Sequence, residues 1–177
     1  EDPRLACAPT AAERVAASAW LEVQLPAPRA PLAGFQVASF PTKSYRDWPV
    51  EAFAALARRL LATHPQAGIV ILGGPESRAR AEALVAALGP RVVSAAGAFE
   101  LRATAALMAE LDLYVGVDTG PTHLAGALGI PMVAMYHCRH RGRYLAPLAH
   151  ERLCVIEHPA ADADCQPATP MSEIVRL

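Results

Sequence analysis

The residue types best suited to chemistry stand together in one polar turn, residues 118–123, which follows an apolar run. Pro121 is typical of the first turn of a helix, where its missing N–H removes no hydrogen bond. Gly120 is then the predicted N-cap, and the free N–H groups of the residues after Pro121 point out of the helix end. With the helix dipole and the hydroxyls of Thr119 and Thr122, they form a candidate phosphate site. The alternative is that these residues only cap the helix.

A glycine turn with an acidic residue, residues 73–76, forms a second candidate site. The turn follows a continuous apolar run, and its glycines would let a ligand approach the backbone closely. It matches neither the dinucleotide-binding fingerprint nor the P-loop, because the spacing differs and the lysine is missing. Glu76 could accept hydrogen bonds from a ribose. Alternatively, its carboxylate lies in the first turn of a helix and interacts favourably with the dipole.

A polar and basic loop covers residues 41–48, directly after another apolar run. Such a loop could hold a diphosphate, with Lys43 or Arg46 matching its charge. The alternative is ordinary solvated surface charge.

The densest basic cluster lies at residues 137–143. His137, Cys138 and His140 have the side chains of a metal site, although their spacing on a loop is only weak support for one. Electrostatic attraction of a phosphorylated substrate is the better functional hypothesis. A solvated loop without function is the third interpretation.

Strand and helix patterns alternate from residue 35 onward and predict the elements that position these loops. Apolar runs predict five strands, at residues 35–40, 69–72, 91–94, 113–117 and 131–136. Helical patterns lie between them, so the order specifies an α/β fold, a Rossmann-like open parallel sheet with flanking helices. Ligands of such sheets bind beyond the carboxyl ends of the strands, which predicts that the polar loops share one edge.

The amino-terminal part is predicted to form a separate segment, residues 1–33, before an α/β domain at residues 34–177. Within this segment, residues 10–20 have the pattern of a capped helix and residues 21–25 that of a strand. A proline-rich stretch, residues 26–31, predicts an extended linker. The first residue is not methionine, which suggests a fragment or a processed product.

Composition excludes several classes of protein. The chain has 177 residues, of which 53% are hydrophobic and 19% charged, and its formal charge is −1. These values predict a globular fold and no nucleic-acid partner. We expect a cytoplasmic protein, because no membrane span or secretory signal is evident. The four cysteines have no close paired spacing, which predicts reduced, mostly buried thiols and no metal site.

Four segments in sequence order resemble the carboxyl-terminal half of the bacterial lipopolysaccharide heptosyltransferases, glycosyltransferase family 9. They are Lys-Ser-Tyr-Arg-Asp-Trp-Pro at residues 43–49, Ile-Leu-Gly-Gly-Pro-Glu at 71–76, the stretch 112–129 and the strand 130–136. The most specific is the strand that ends in Asp-Thr-Gly-Pro-Thr-His-Leu-Ala. The resemblance covers residues 35–144.

This resemblance implies a two-domain GT-B enzyme whose second domain binds a nucleotide sugar, with ADP-heptose as the expected donor. It implies diphosphate contacts at Thr42, Arg46, Asp118, Thr119, Gly120 and His123. Glu76 would contact the ribose, and the segment near Phe99 would lie against the adenine. A second adjacent hydroxyl residue is common in the family at the position where this chain has Pro41.

The resemblance also implies that the first domain binds a lipid-linked saccharide acceptor and carries the catalytic base, an aspartate. Too few residues precede Phe35 to build that domain, so no catalytic residue is assigned in this chain. The expected ligand is an ADP-sugar donor, with no cofactor and no metal. Peripheral association with the inner membrane would follow from the lipid-linked acceptor. The alternative hypothesis is a non-catalytic module that binds a nucleotide sugar.

Overall fold

A six-stranded parallel sheet forms the centre of the computed structural model, which describes residues 5–26, 29–166, 169 and 171–173. The strand order is β3-β2-β1-β4-β5-β6. In chain order, the strands are β1 (Leu32–Gln36), β2 (Gly68–Leu72), β3 (Val92–Ser94), β4 (Leu113–Val117), β5 (Met132–Tyr136) and β6 (Leu153–Glu157). The predicted α/β class with an open parallel sheet is confirmed.

The helices of the described residues connect these strands. They are α1 (Ala11–Gln24), α2 (Val50–Thr63), α3 (Arg78–Leu88), α4 (Leu101–Met108), α5 (Gly120–Ala127) and the short α6 (Gly142–Leu145). Single 3-10 segments cover Pro41–Arg46, Pro75–Ser77 and Met171–Glu173. Among the described residues, no helix combines the length and the apolar character that crossing a membrane requires.

Both faces of the sheet are covered, because successive strand residues point to opposite sides. Phe35 of β1 and Ile71 of β2 are buried in one core cluster with Phe53 of α2. Leu72, the next residue of β2, is buried in the other cluster with Leu107 of α4. A parallel sheet buried in this way leaves the loops at the carboxyl ends of its strands as the place for a ligand.

Two strand predictions require correction. The first strand lies at Leu32–Gln36 instead of residues 35–40, because its pairing with β2 and β4 sets its position. Strand β6 was not predicted at all. It lies at the edge of the sheet, and Cys154 and Val155 at its centre are exposed, so it lacks the continuous apolar pattern of the central strands.

The predicted strand at residues 21–25 is also wrong, because helix α1 continues to Gln24. Thr10 caps the helix in a reciprocal pair of hydrogen bonds with Glu13. Leu21 lies one turn after Ala17, and both are buried in the core cluster that includes α4. The helical spacing of these two residues therefore outweighs the strand propensity of the segment that follows.

The prediction that the cysteines are reduced is wrong for two of them. Cys138 and Cys165 form a disulfide, with Cα atoms 5.9 Å apart and a sequence separation of 27. Cys7 and Cys154 are free. The pairing could not be predicted from spacing, since it depends on how the chain after β6 returns to the loop after β5.

Candidate functional site

The turn between β4 and α5 is held from inside by buried hydroxyl groups. The Thr122 hydroxyl donates to the carbonyl oxygen of Val117 at 2.6 Å and accepts from the Tyr114 hydroxyl at 2.9 Å. Burial raises the pKa of the Tyr114 phenol, which therefore stays protonated. Gly116 makes room for this phenol, because a Cβ there would collide with the Tyr114 hydroxyl. Thr122 is fully buried, so the expectation that its hydroxyl faces a phosphate is wrong.

Helix α5 begins at this turn without a side-chain cap. Thr119 is the N-cap in extended conformation, one residue before the predicted Gly120, and its side chain makes no capping hydrogen bond. Instead, the Thr119 hydroxyl lies 3.4 Å from the Val117 carbonyl oxygen. The Thr122 N–H donates to the Thr119 carbonyl oxygen at 3.1 Å and Pro121 has no N–H, so the turn presents the N–H groups of Gly120 and His123 and the positive end of the dipole.

A buried ion pair joins this turn to the polar loop after β1. Nη1 of Arg46 donates to Oδ2 of Asp118 at 2.8 Å, and the two side chains are only 10% and 5% exposed. The same nitrogen lies 3.3 Å from the Asp118 carbonyl oxygen. The carboxylate thus neutralises the guanidinium within the protein, and Arg46 is held in one position.

His140 receives hydrogen bonds from the other side of the guanidinium. Its Nε2 lies 3.1 Å from Nη2 of Arg46 and 2.8 Å from the Tyr45 hydroxyl. Because a guanidinium can only donate, Nε2 is the unprotonated nitrogen and His140 is neutral. Burial, followed by the charge of Arg46, lowers the pKa of His140. Asp118, Arg46, His140 and Tyr45 therefore form one connected polar chain.

An open cleft of about 310 Å³ lies next to these hydrogen-bonded side chains. It is lined by Ser39, Phe40, Lys43, Arg46, Asp118, Thr119, Gly120, His123, His140 and Leu145. Five residues of the predicted diphosphate set line it together: Arg46, Asp118, Thr119, Gly120 and His123. The cleft combines the uncapped end of α5 with the Lys43 ammonium group, which is the chemistry of an anion site.

Three predicted residues lie outside the lining of this cleft. Thr42 is exposed on the 3-10 segment, and Glu76 is exposed after the carboxyl end of β2. Phe99 follows β3 and is half-buried, with its ring edge-on to Trp20 of α1 at 5.2 Å between centroids. Because all strands are parallel, these residues, like the cleft, still lie at the carboxyl ends of the strands.

The residues that sequence reasoning missed are those that support Arg46. Tyr45 belongs to one of the four segments that resemble the family, and the sequence offers His140 as a candidate metal ligand. Asp47 holds the loop in place, because its carboxylate accepts from the Ser39 backbone N–H at 2.7 Å and from Arg80 at 2.8 Å. Nothing in the local pattern indicates these roles, since each partner is supplied by another element.

The basic cluster after β5 divides into two parts. Arg141 and Arg143 both contact the Asp162 carboxylate, at 2.8 and 3.2 Å, which neutralises part of the positive charge. These contacts lower the pKa of Asp162, mainly through the hydrogen bond with Arg141. The ligand atoms of His137 group with those of Cys138 and Cys165 instead of with His140, so the combination of His137, Cys138 and His140 does not form among the described residues.

Comparisons with known proteins identify the family of this chain. The model of glycosyltransferase family 9 (heptosyltransferase) matches residues 6–174. The lipopolysaccharide core heptosyltransferase OpsX of Haemophilus influenzae is 27% identical over 97 residues, which are 54% of this chain and 27% of OpsX.

Solved structures share the fold. A family 9 glycosyl transferase from Veillonella parvula superimposes with a TM-score of 0.78 at 25% identity, covering 89% of this chain and 43% of that one. The ADP-heptose lipopolysaccharide heptosyltransferase II of E. coli gives a TM-score of 0.75 at 21% identity, covering 96% of this chain and 50% of that one.

This chain therefore spans about a quarter of OpsX and half or less of these two structures. The resemblance found in the four sequence segments is confirmed, because the family model extends over nearly all of the chain. Its fold also agrees with that of the solved heptosyltransferase. This chain belongs to glycosyltransferase family 9, the heptosyltransferase family.

Proposed function

We propose that this chain binds the nucleotide-sugar donor of a lipopolysaccharide heptosyltransferase, with ADP-heptose as the donor. The observation that carries the proposal is the Arg46–Asp118 pair at the uncapped end of α5, within a cleft that Lys43 also lines. The family match and the ADP-heptose transferase of E. coli with the same fold support this assignment.

The diphosphate would lie against the backbone N–H groups at Thr119 and Gly120, with Lys43 and His123 at the sides of the cleft. Asp118 would act through Arg46 instead of touching the phosphates, because a carboxylate repels them. Its pairing with Arg46 offsets part of that repulsion. Thr42 is exposed beside the cleft and would supply a hydroxyl if the donor extends over the 3-10 segment.

Glu76 and Phe99 would hold the nucleoside. Glu76 follows β2 and Phe99 follows β3, and in the sheet both strands lie on the opposite side of β1 from β4. A nucleotide with its diphosphate at the end of β4 would therefore extend along the carboxyl ends of the strands toward β2 and β3. The Glu76 carboxylate would accept hydrogen bonds from ribose hydroxyls. Phe99, supported edge-on by Trp20, would pack against the adenine.

In the transfer, the leaving diphosphate gains negative charge as the bond to the sugar breaks. Oriented N–H groups and cations that meet this charge stabilise the transition state more than the ground state. The acceptor hydroxyl must lose a proton to a base, for which we assign no residue of this chain. In this proposal, the chain holds the donor and its leaving group, while a further domain would bind the lipid-linked saccharide.

Calorimetric titration of the chain with ADP, ADP-heptose and inorganic pyrophosphate tests this proposal. We expect Lys43→Ala to weaken the binding of all three ligands by about tenfold or more, the effect of one lost charged contact. Arg59→Ala is the matched control, because it removes an exposed cation on α2, away from the cleft. Glu76→Gln should weaken the binding of ADP and leave the binding of pyrophosphate unchanged.

The proposal fails if ADP does not bind at millimolar concentration. It also fails if Lys43→Ala and Arg59→Ala have equal effects. If Glu76→Gln loses the binding of pyrophosphate as well as that of ADP, the separate positions assigned to diphosphate and ribose are contradicted.

A further inference from the structure

A second group of reactive side chains lies outside the donor cleft, at the disulfide. His137 and Cys138 follow β5, and Cys165 approaches them from the segment after β6. The ligand atoms of these three residues lie within 4.8 Å of one another. His137 and Cys138 are buried and Cys165 is half-buried.

The hydrogen bonds of His137 prepare one ring nitrogen as a ligand. Its Nε2 lies 3.0 Å from the backbone carbonyl oxygen of Thr169. A carbonyl can only accept, so Nε2 carries the proton and the lone pair is on Nδ1, where it accepts from the Arg139 backbone N–H. Nδ1 lies 3.7 Å from Sγ of Cys138. Donation of the second ring N–H to a backbone carbonyl is the arrangement that orients histidines which bind metals.

We propose that Cys138, Cys165 and Nδ1 of His137 form a binding site for a borderline-soft divalent cation such as Zn²⁺ when the disulfide is reduced. The two sulfurs then change from a covalent pair to two separate ligands. Disulfide and metal exclude each other, because a cation of this kind requires thiolates.

The reduction balances with a dithiol as the reductant. The Cys138–Cys165 S–S bond breaks and takes up two electrons and two protons, giving two thiols, while the dithiol becomes a disulfide. On binding, the cation replaces the two thiol protons, which are released to solvent. Nδ1 gives up the hydrogen bond that it accepts from the Arg139 backbone N–H at 3.2 Å and binds the cation instead.

The donor set selects the class of cation. Two sulfurs and one imidazole nitrogen suit Zn²⁺, whereas Mg²⁺ and Ca²⁺ require oxygen ligands. Arg139, Arg141 and Arg143 line the same surface pocket as the two cysteines, together with Asp162, which neutralises part of their charge; the remaining positive charge favours thiolates. With three protein ligands, the fourth tetrahedral position is left to water.

Titration of the reduced full chain with Co²⁺, followed by displacement with Zn²⁺, tests the site. After a dithiol reductant is removed under anaerobic conditions, we expect one equivalent of Co²⁺ to bind with a thiolate-to-metal charge-transfer band. Zn²⁺ should abolish that band. The oxidised chain should show neither band nor binding, and this comparison requires no substitution.

Variants then locate the ligands. Cys165→Ser should lose the charge-transfer band or weaken binding by about tenfold or more, and His137→Gln should weaken it to a similar extent. Cys154→Ser and Cys7→Ser are matched controls, since these cysteines are free and outside the group, and they should bind as the parent does. Circular dichroism establishes that each variant is folded.

The proposal is overturned if the reduced, folded chain shows no charge-transfer band with Co²⁺. It is equally overturned if one equivalent of Co²⁺ binds with unchanged affinity to the oxidised chain or to the Cys165→Ser variant. Because ADP is absent from every arm, failure of this site leaves the proposed donor site unaffected.

Discussion

Arg46 and Asp118 are separated by 72 residues and form a buried ion pair at 2.8 Å. One belongs to the 3-10 segment after β1 and the other to the turn after β4, and these two strands are neighbours in the sheet. The pair therefore joins the two loops that line the proposed donor cleft. His140 adds a third loop to the same guanidinium.

Asp118→Ala leaves the Arg46 charge buried without its partner. We expect the free energy of unfolding to fall by about 3–5 kcal/mol, as for other broken buried pairs, measured by urea denaturation. Glu22→Ala is the control, because Glu22 is exposed in its pair with Arg29 and its loss should lower the free energy of unfolding far less than the loss of Asp118. Equal losses in the two variants would contradict the structural role of the buried pair.

Thr122→Val removes the hydroxyl that joins Tyr114 to the Val117 carbonyl oxygen. The buried Tyr114 hydroxyl and the Val117 carbonyl oxygen each lose their short hydrogen bond, so we expect a loss of about 1–3 kcal/mol in unfolding free energy. Thr122→Ser keeps the hydroxyl and should recover most of this loss. If Val and Ser destabilise the fold equally, the hydrogen bonds are not the cause.

The stability of the fold should depend on pH through His140 and His137, since burial is the main cause that lowers the pKa of both. In the unfolded chain these histidines take up protons near pH 6.5, while in the fold they remain neutral to lower pH. The free energy of unfolding should therefore fall as the pH drops below about 6.5 and be unaffected by these groups above it.

Urea denaturation between pH 8 and pH 5 would measure this slope, and His140→Gln provides the comparison. We expect a shallower fall in the variant, because one of the two histidines no longer takes up a proton on unfolding. An unchanged slope would exclude His140 as a contributor.

Reduction of the Cys138–Cys165 disulfide should lower the free energy of unfolding by about 3–4 kcal/mol, since the bond closes a loop with a sequence separation of 27. Urea denaturation with and without a dithiol reductant measures the change. The double variant Cys138→Ala/Cys165→Ala should not respond to the reductant. If it responds as the parent does, the effect has another source.

Local sequence patterns predicted the secondary structure correctly where interactions between neighbouring residues determine it. The strand predicted at residues 113–117 is observed as β4 with the same bounds, and the helix after it begins beside Pro121 as expected. The continuous apolar run at residues 69–72 also predicted β2, since a parallel strand buried on both faces carries such a run, whereas β1 begins and ends earlier than predicted. Predictions failed at β6 and at the carboxyl-terminal end of α1, where the pattern is weak or mixed.

The sequence by itself determined the α/β class, the polar turn at the end of β4 and membership of glycosyltransferase family 9. These depend on residue types at short spacing, which act through backbone conformation and helix capping. Only the tertiary structure decided that Arg46 pairs with Asp118, that His140 supports Arg46, and that Cys138 meets Cys165 beside His137. Each of these contacts joins residues from different elements, so its geometry exists only after the sheet brings their ends together.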